Sequence, residues 1–359
     1  MQIPSRDNLR QTPGASHPCP RTVAGVLSSP MWTNPPRALR ALVFAGAISG
    51  CVASSAADRR SGGHEAEGVA LAALATDSAS ILSDLRFLSS DELQGRATGS
   101  DGAARARARL TERFSGAGLE PMEGGYEQGF AWTRGNQSEG RAGLNLVGLR
   151  RGTEVPERYI VVSGHYDHLG VRDDEIYNGA DDNASGAVGV AALAQALSGV
   201  ALRHSLIFVS FDAEELGLRG ARAFVEAPPV PLDAIAVDVN LDMVARTAGV
   251  LWAGGAYHTP TLRPILEDVA RRAPLDYRLG HDAPGAPEGD DWTRQSDHGA
   301  FHDVGIAFVY LGVEDHPDYH HPTDDFERVD PGEYMNALRA ALLTVLALDE
   351  ALPLPETLP

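Results

Sequence analysis

The chain has 359 residues, and its 49 acidic against 30 basic side chains give a formal net charge of −19. Such a charge repels phosphate backbones and anionic membrane surfaces, so nucleic acid is excluded as an expected partner. The sequence contains no lysine, and its two cysteines are Cys19 and Cys51. Composition therefore excludes a P-loop lysine and a pyridoxal-phosphate Schiff base, and it excludes thiol chemistry after residue 51.

Residues 1–51 have the pattern of an export leader. Arg37 and Arg40 precede the short apolar run ALVFAGAI, and ISGC follows it. A basic region, a short apolar core and small residues at a cleavage site are typical of a secretory signal. The last four residues resemble a bacterial lipobox, which implies that Cys51 is lipidated and becomes the mature N-terminus. A plain signal peptide with an incidental Cys51 is the alternative, and Met31 is a possible true start.

The leader predicts where the protein resides. We expect export to the bacterial periplasm or cell envelope, with a lipid anchor at Cys51 as the link to a membrane. Val52 after the cysteine favours the outer membrane in a Gram-negative host. Residues 52–68 are small and polar, so we expect a flexible tether there. Residues 69–359 are then the folded domain.

Acidic and histidine residues follow four apolar runs that have the pattern of buried strands. RYIVVSG leads into His165, SLIFVSF precedes Glu214, AIAVDVNL leads into Asp242, and AFVYLG precedes the loop that carries His320. Ligands of open α/β sheets bind beyond the carboxyl ends of the strands. We therefore expect these side chains to meet in one crevice.

Helices are predicted between and after these strands, over Ala184–Leu197, Thr261–Arg272 and Pro331–Leu352. Strands that alternate with helices predict an α/β fold, with a doubly wound, largely parallel central sheet and helices on both faces.

The residue types at the strand ends suit divalent metal ions. Imidazole and carboxylate are zinc ligands, and a catalytic zinc keeps one position open for water. A carboxylate that follows a strand as apolar as the one before Asp242 is costly to bury without a cation or hydrogen bonds. Glu214 and Glu215 repel each other unless a metal accepts one and leaves the other free as a base. Taken singly, each residue could instead be a structural histidine or a solvated carboxylate.

Six ordered segments resemble the co-catalytic zinc aminopeptidases of metallopeptidase family twenty-eight: GHYDHLG, NGADDNASG, FDAEELGLRG, NLDMV, SDHGAF and DYHHPTDD. The resemblance starts at LSSDELQGRATGSDGA and spans residues 85–352. It implies the zinc exopeptidase fold in a bacterial, secreted, leucyl-aminopeptidase-like protein. Only NQSEGRAGLNLVGLRRGTEVPE separates GFAW from the first ligand strand, which leaves no room for the protease-associated insert of some members.

The resemblance implies a dinuclear zinc site. Asp181 is expected to bridge the two ions, with His165 and Asp242 completing one site and Glu215 and His320 completing the other. Glu214 is the expected general base.

Further motif residues are expected beside this site. Asp167 is expected to orient His165, and Asp182 lies where the family often has unusual backbone geometry. The remaining residues expected near the substrate are Ser296, Asp297, His298 and Tyr319, whose phenol could reach a developing oxyanion. Three other histidines, His168, His316 and His321, are expected to shape the pocket or face water rather than bind a third metal.

The implied activity is hydrolysis of N-terminal residues from peptides with a free N-terminus, by a water activated between two zinc ions. Three alternatives stay open: a carboxypeptidase or dipeptidase of the same family, a single-zinc glutaminyl cyclase of the same fold, and an inactive peptide-binding lipoprotein.

Overall fold

We describe the protein from a computed structural model, in which residues 49–133, 141–285 and 290–352 are described. The predicted signal falls in residues 1–48, outside this range, and of Cys51 only the helical backbone is described. The α-helices are α1 (Ser49–Thr76), α2 (Ser78–Leu88), α3 (Asp101–Gly116), α4 (Gly186–Ala196), α5 (Arg219–Glu226), α6 (Arg263–Arg272), α7 (His298–Asp303) and α8 (Pro331–Ala351). The strands are β1 (Glu120–Pro121), β2 (Glu127–Trp132), β3 (Arg141–Arg150), β4 (Val155–His165), β5 (Gly170–Arg172), β6 (Glu175–Tyr177), β7 (His204–Phe211), β8 (Ile235–Leu241), β9 (Val250–Gly254), β10 (Asp276–Leu279) and β11 (Ala307–Gly312).

A mixed sheet forms the centre of the domain. Its order is β1-β3-β7-β4-β8-β11-β9-β10, and β2 also pairs with β3. The central strands β7, β4, β8 and β11 are parallel, whereas β3 and β9 run antiparallel to their inner neighbours. The predicted α/β fold is confirmed, but the sheet is parallel mainly at its centre. Antiparallel pairing towards both edges was not foreseen.

Helices cover both faces of the sheet because the side chains of each strand alternate between two cores. Ile160 and Val162 of β4 belong to the larger core, which also contains buried residues of α2, α3, α4, α6 and α8. Val161 points to the smaller core, where Phe224 of α5 and Phe301 of α7 pack. The central strands are therefore buried on both sides, which explains their uninterrupted apolar runs.

The predicted elements around the ligand motifs are confirmed. All four apolar runs are strands, namely β4, β7, β8 and β11. The three predicted helices correspond to α4, α6 and α8 within a few residues. Helix α4 begins later than expected because Ala180–Ser185 form a π-helical turn that carries two of the candidate site residues.

Residues 52–68 were expected to be a flexible tether, but they lie within helix α1. The first buried side chains of the described chain are Ala70 and Leu74, later in this same helix. Packing of its C-terminal half against the core explains how a weakly apolar helix persists, since tertiary contacts contribute most of a helix's stability. Among the described helices, none alone is long and apolar enough to cross a membrane; the bent pair Gly63–Thr76 and Ser78–Leu88 meets that test only jointly.

Candidate metal centre

The four ligand-bearing strands end at one edge of the sheet, and their side chains converge there. His165 is the last residue of β4 and pairs in register with Phe211, three residues before Glu214. Asp242 directly follows β8. As a result, His165 Nε2 lies 3.4 Å from Asp242 Oδ1 and 3.9 Å from Glu214 Oε2. The side chains that were expected to meet at the strand ends therefore do lie together.

The central carboxylate of this cluster is Asp182, not Asp181. Asp182 Oδ1 lies 3.6 Å from His165 Nε2, and its Oδ2 lies 3.0 Å from His320 Nε2. Asp181 turns away, accepting from the Ala245 backbone N–H at 2.6 Å and lying 3.1 Å from His316 Nε2. The structure places Asp182, not the expected Asp181, in the shared position, because Asp182 (φ −101°, ψ 101°) and Asn183 (φ −126°, ψ 46°) leave helical geometry and consecutive side chains point to different sides. The Asp182–Asn183 peptide bond is cis.

Two groups of donor atoms share Asp182. The first is His165, Asp182 and Asp242, and the second is His168, Asp182 and Glu215; within each group the donor atoms lie within 4.8 Å of one another. His320 joins the second group, since its Nε2 is 3.5 Å from Glu215 Oε2. The structure thus brings together four of the five expected ligands, replaces Asp181 by Asp182, and adds His168.

Unsatisfied polar atoms show that this cluster suits cations. Asp242 Oδ1, Asp182 Oδ2, Glu215 Oε1 and both ring nitrogens of His168 are buried without a hydrogen-bond partner among the described residues. Buried polar atoms normally have partners, and leaving one without costs about 1–3 kcal/mol. Nitrogen and oxygen donors that surround two adjoining points fit divalent ions such as zinc. A metal ion would satisfy the carboxylate oxygens and offset their mutual repulsion.

The two adjacent glutamates differ electrostatically. Burial raises the pKa of Glu214 well above its ordinary value; His165 opposes this shift in part, and the charge of Asp297 adds to it. Burial also acts to raise the pKa of Glu215, but the nearby imidazoles of His168 and His320 outweigh it and lower that pKa. Environments that separate two carboxyl pKa values in this way are typical of an acid–base residue beside an ionised ligand.

Asp167 supports both His165 and Glu214. Its Oδ1 accepts a hydrogen bond of 3.0 Å from the Glu214 backbone N–H, and its Oδ2 accepts one of 3.2 Å from the Thr98 hydroxyl. His165 Nδ1 lies 3.2 Å from the Asp167 carbonyl oxygen and 3.7 Å from its carboxylate. The backbone carbonyl of Asp167 is thus the nearer partner for the imidazole, and an acceptor at this position would fix the His165 tautomer.

The SDHGAF motif lies beside Asp242. The amide of Asn240 donates to the Ser296 hydroxyl at 2.7 Å, and hydrogen bonding from Ser296 helps His165 to lower the pKa of Asp242 against the effect of burial. His298 is fully buried with Nε2 2.8 Å from the Trp292 carbonyl, and burial lowers its pKa to about 4. It is therefore neutral at pH 7.

Asp297 and Tyr319 also lie at the centre. Both Asp297 carboxylate oxygens are buried without a hydrogen-bond partner in the described part of the chain, and burial raises the pKa of Asp297 well above its ordinary value. The ring of Tyr319 stacks on His320 at 4.0 Å between centroids. Of the extra histidines, His321 is exposed and His316 contacts Asp181, whereas His168 lies inside the donor cluster.

Two further residues, Arg96 and Asp324, hold the ligand loops and were missed from the sequence. The carboxylate of Asp324 accepts from the backbone N–H groups of Asp181 and Asp182, at 3.0 and 3.1 Å. Burial raises its pKa to about 7, and the charge of Asp181 adds to this shift. Arg96 lies in the segment LSSDELQGRATGSDGA and Asp324 lies in DYHHPTDD, so the family motifs could have indicated both residues.

The fold and the donor cluster define an α/β protein with a histidine and carboxylate metal centre. The model of peptidase family M28 matches residues 145–345, more than half of the chain. The chain therefore belongs to peptidase family M28, a family of zinc metallopeptidases, as the motifs predicted.

Individual relatives are similar over part of their length. The chain is 30% identical over 196 residues to the aminopeptidase YwaD of Bacillus subtilis, covering 52% of this chain and 40% of that protein. It is 30% identical over 204 residues to the probable glutamate carboxypeptidase VP8 of Zea mays, covering 51% of this chain and 26% of that protein. The chain thus matches less than half the length of either relative.

A solved structure extends the likeness in fold. The aminopeptidase of Aneurinibacillus sp. strain AM-1 superposes with a TM-score of 0.59 and 16% identity, over 78% of this chain and 95% of that chain. This similarity supports the α/β fold with its central sheet.

Proposed function

We propose that this protein is a zinc-dependent aminopeptidase that removes residues from the N-termini of peptides. The observation that carries the proposal is the pair of donor groups sharing Asp182, with the carboxyl of Glu214 beside them. Two zinc ions per chain would be held by His165, Asp182 and Asp242 in one site, and by Asp182, Glu215 and His320 in the other.

The mechanism assigns one proton carrier. Zinc ions in these sites would polarise the scissile carbonyl and lower the pKa of a water molecule. Glu214 would accept the proton of that water and return it to the leaving amine, since its carboxylate lies outside both donor groups. The hydrogen bond from the Glu214 backbone N–H to the Asp167 carboxylate holds the backbone of this residue in place.

Charge supports recognition of a free α-amine. Glu214 and Asp297 are carboxyl groups of the centre outside the proposed zinc ligands, and no lysine exists in the chain to bind a substrate carboxylate. Arginine could still bind one, so a carboxypeptidase remains the second candidate, favoured by the similarity to the maize protein.

Hydrolysis of a matched peptide panel tests the proposal. The zinc-loaded protein is given free peptides, N-acetylated peptides and C-terminally amidated peptides, and products are identified by mass spectrometry. We expect release of the first residue from free and amidated peptides, with little cleavage after acetylation, because the site would leave carboxylates unpaired without the amine. Loss on amidation would identify a carboxypeptidase, and pyroglutamate without hydrolysis would identify a cyclase. If the zinc-loaded protein hydrolyses none of these peptides, the remaining interpretation is an inactive peptide-binding protein.

Metal content is measured on the same preparations. We expect two zinc ions per active chain and loss of activity with a chelator; one ion or none in active protein would contradict the dinuclear centre.

The proposed location rests on the leader sequence. We propose export to a bacterial cell envelope and lipidation of Cys51, supported by Arg37, Arg40 and the ISGC segment. Mass spectrometry of the protein from membranes should find an acylated Cys51 at the N-terminus, and Cys51→Ser should release unanchored protein. An unmodified N-terminus beyond Cys51 would contradict this.

A further inference from the structure

His168 is a buried histidine held in a fixed position three residues after His165. Its side chain has no solvent exposure. The ring packs on Gly179, whose φ is +54° and where an added Cβ would come within 2.4 Å of the His168 ring. Glycine adopts this φ without steric cost and leaves the space that the ring fills. The backbone therefore fixes the direction of the imidazole.

The imidazole directs one nitrogen at two carboxylates of the metal centre. His168 Nδ1 lies 2.8 Å from Glu215 Oε1 and 3.6 Å from Asp182 Oδ2. None of these three atoms has a hydrogen-bond partner among the described residues, although all are buried. The short contact to Glu215 thus lacks hydrogen-bond geometry.

A cation accounts for this arrangement. Zinc bonds of about 2.0–2.2 Å to nitrogen and oxygen place neighbouring tetrahedral ligand atoms about 3.3–3.5 Å apart. The distances from His168 Nδ1, 2.8 Å to Glu215 Oε1 and 3.6 Å to Asp182 Oδ2, lie on either side of that range. An ion between these atoms would satisfy three buried donors at once, whereas packing alone leaves each without a partner.

We propose that His168 Nδ1 is a ligand of the second metal ion, beside Asp182, Glu215 and His320. This rests on the proposed dinuclear function and adds a residue to it. The two histidines differ in exposure: the His320 side chain is 40% exposed, while His168 is enclosed. His168 binds the ion from the protein interior, and His320 binds it from the solvent side.

The test compares His168→Ala with His321→Ala in the full chain. His321 is an exposed histidine next to His320, so its variant controls for loss of an imidazole outside the cluster. Zinc affinity is measured by competition with a chromophoric chelator, and X-ray absorption of the zinc-loaded protein counts imidazole ligands. Circular dichroism of the metal-free variants checks that they are folded.

We expect His168→Ala to weaken the second zinc by more than the ~10–100-fold that loss of an outer-shell partner costs. The number of imidazole ligands counted by X-ray absorption should fall from three to two for each pair of zinc ions. His321→Ala should change neither the zinc affinity nor this number. His168→Ala with parental affinity and an unchanged imidazole count would overturn the inference and leave the proposed function intact. A folded, zinc-saturated parent with only one ion would overturn both. A folding failure is resolved by His168→Gln, which must show the same loss of zinc.

Discussion

Arg96 Nε donates a hydrogen bond of 2.9 Å to the carbonyl of Tyr166, 70 residues further along the chain. Tyr166 stands between His165 and Asp167, so this bond fixes the first ligand loop. The same guanidinium donates to the carbonyls of Leu88, Asn178 and Gly179. The buried Arg96 therefore ties the N-terminal segment to the two loops that carry His165 and Asp182.

Replacing Arg96 with lysine should reduce both stability and zinc affinity. Burial lowers the pKa of Arg96 to about 10, partly opposed by the charges of Asp182 and Asp324, so it stays charged at neutral pH. A lysine has no planar fork with which to reach four carbonyls. We expect a loss of more than about 2 kcal/mol in the free energy of unfolding by urea.

The control for Arg96 is Arg105→Lys. Arg105 forms an exposed salt bridge with Glu92, and such pairs contribute about 0–1 kcal/mol. Equal effects of the two substitutions would refute the positioning role of Arg96.

Substitutions of the neighbouring residues Asp181 and Asp182 should have different effects on zinc content. Asp182→Asn should lose zinc from both sites, because its two oxygens face His165 on one side and His320 on the other. Asp181→Asn should retain both ions, since its carboxylate contacts Ala245 and His316 instead. Zinc content after dialysis decides between them, and the reverse result would restore Asp181 as the shared ligand.

Substitutions of the adjacent residues Glu214 and Glu215 test which carboxyl group transfers the proton. Glu214→Gln should keep both zinc ions and lose ~10²–10⁴-fold in kcat, the usual contribution of general acid–base catalysis. Glu215→Gln should also weaken zinc binding, because Glu215 contacts His168 and His320. Metal analysis and steady-state kinetics are run on the same samples. Near-parental turnover in Glu214→Gln would exclude it as the base.

The sequence predicted what depends on strand order and apolar pattern. Strands β4, β7 and β8 end at one sheet edge, so His165, Glu214 and Asp242 could be expected to meet. Which of Asp181 and Asp182 points inward depends on the non-helical backbone angles at Asp182 and Asn183, and apolar periodicity carries no signal for that. The inward direction of His168 depends on a long-range fit against Gly179, which a local motif does not display.

Helix α1 and the sheet edges were missed for related reasons. A small, polar segment predicts a tether when only its own composition is considered. Residues 52–68 instead continue into the part of helix α1 where the buried side chains of Ala70 and Leu74 pack against the core. The antiparallel outer strands are joined through β2, β3 and β9, whose pairing is not encoded in strand patterns alone.

Asp238 makes stability depend on pH away from the zinc ligands. It is fully buried within β8, accepts from the Ser163 hydroxyl at 2.7 Å, and its other oxygen has no hydrogen-bond partner among the described residues. Burial raises its pKa from 3.8 to about 8, with the Ser163 hydrogen bond opposing the shift. Because the folded pKa is the higher one, this contribution to stability is complete below about pH 4 and is lost as pH rises through 8.

Asp238→Asn removes that titration while retaining an acceptor for Ser163. The free energy of unfolding of the variant relative to the parent should therefore increase from pH 5 to pH 9, by an amount on the order of several kcal/mol at most. Urea unfolding of zinc-free protein at both pH values measures it, and Asp233→Asn, an exposed aspartate just before β8, is the control. A difference that stays constant with pH would mean that Asp238 is ionised in the folded protein at pH 5, against the effect of its burial.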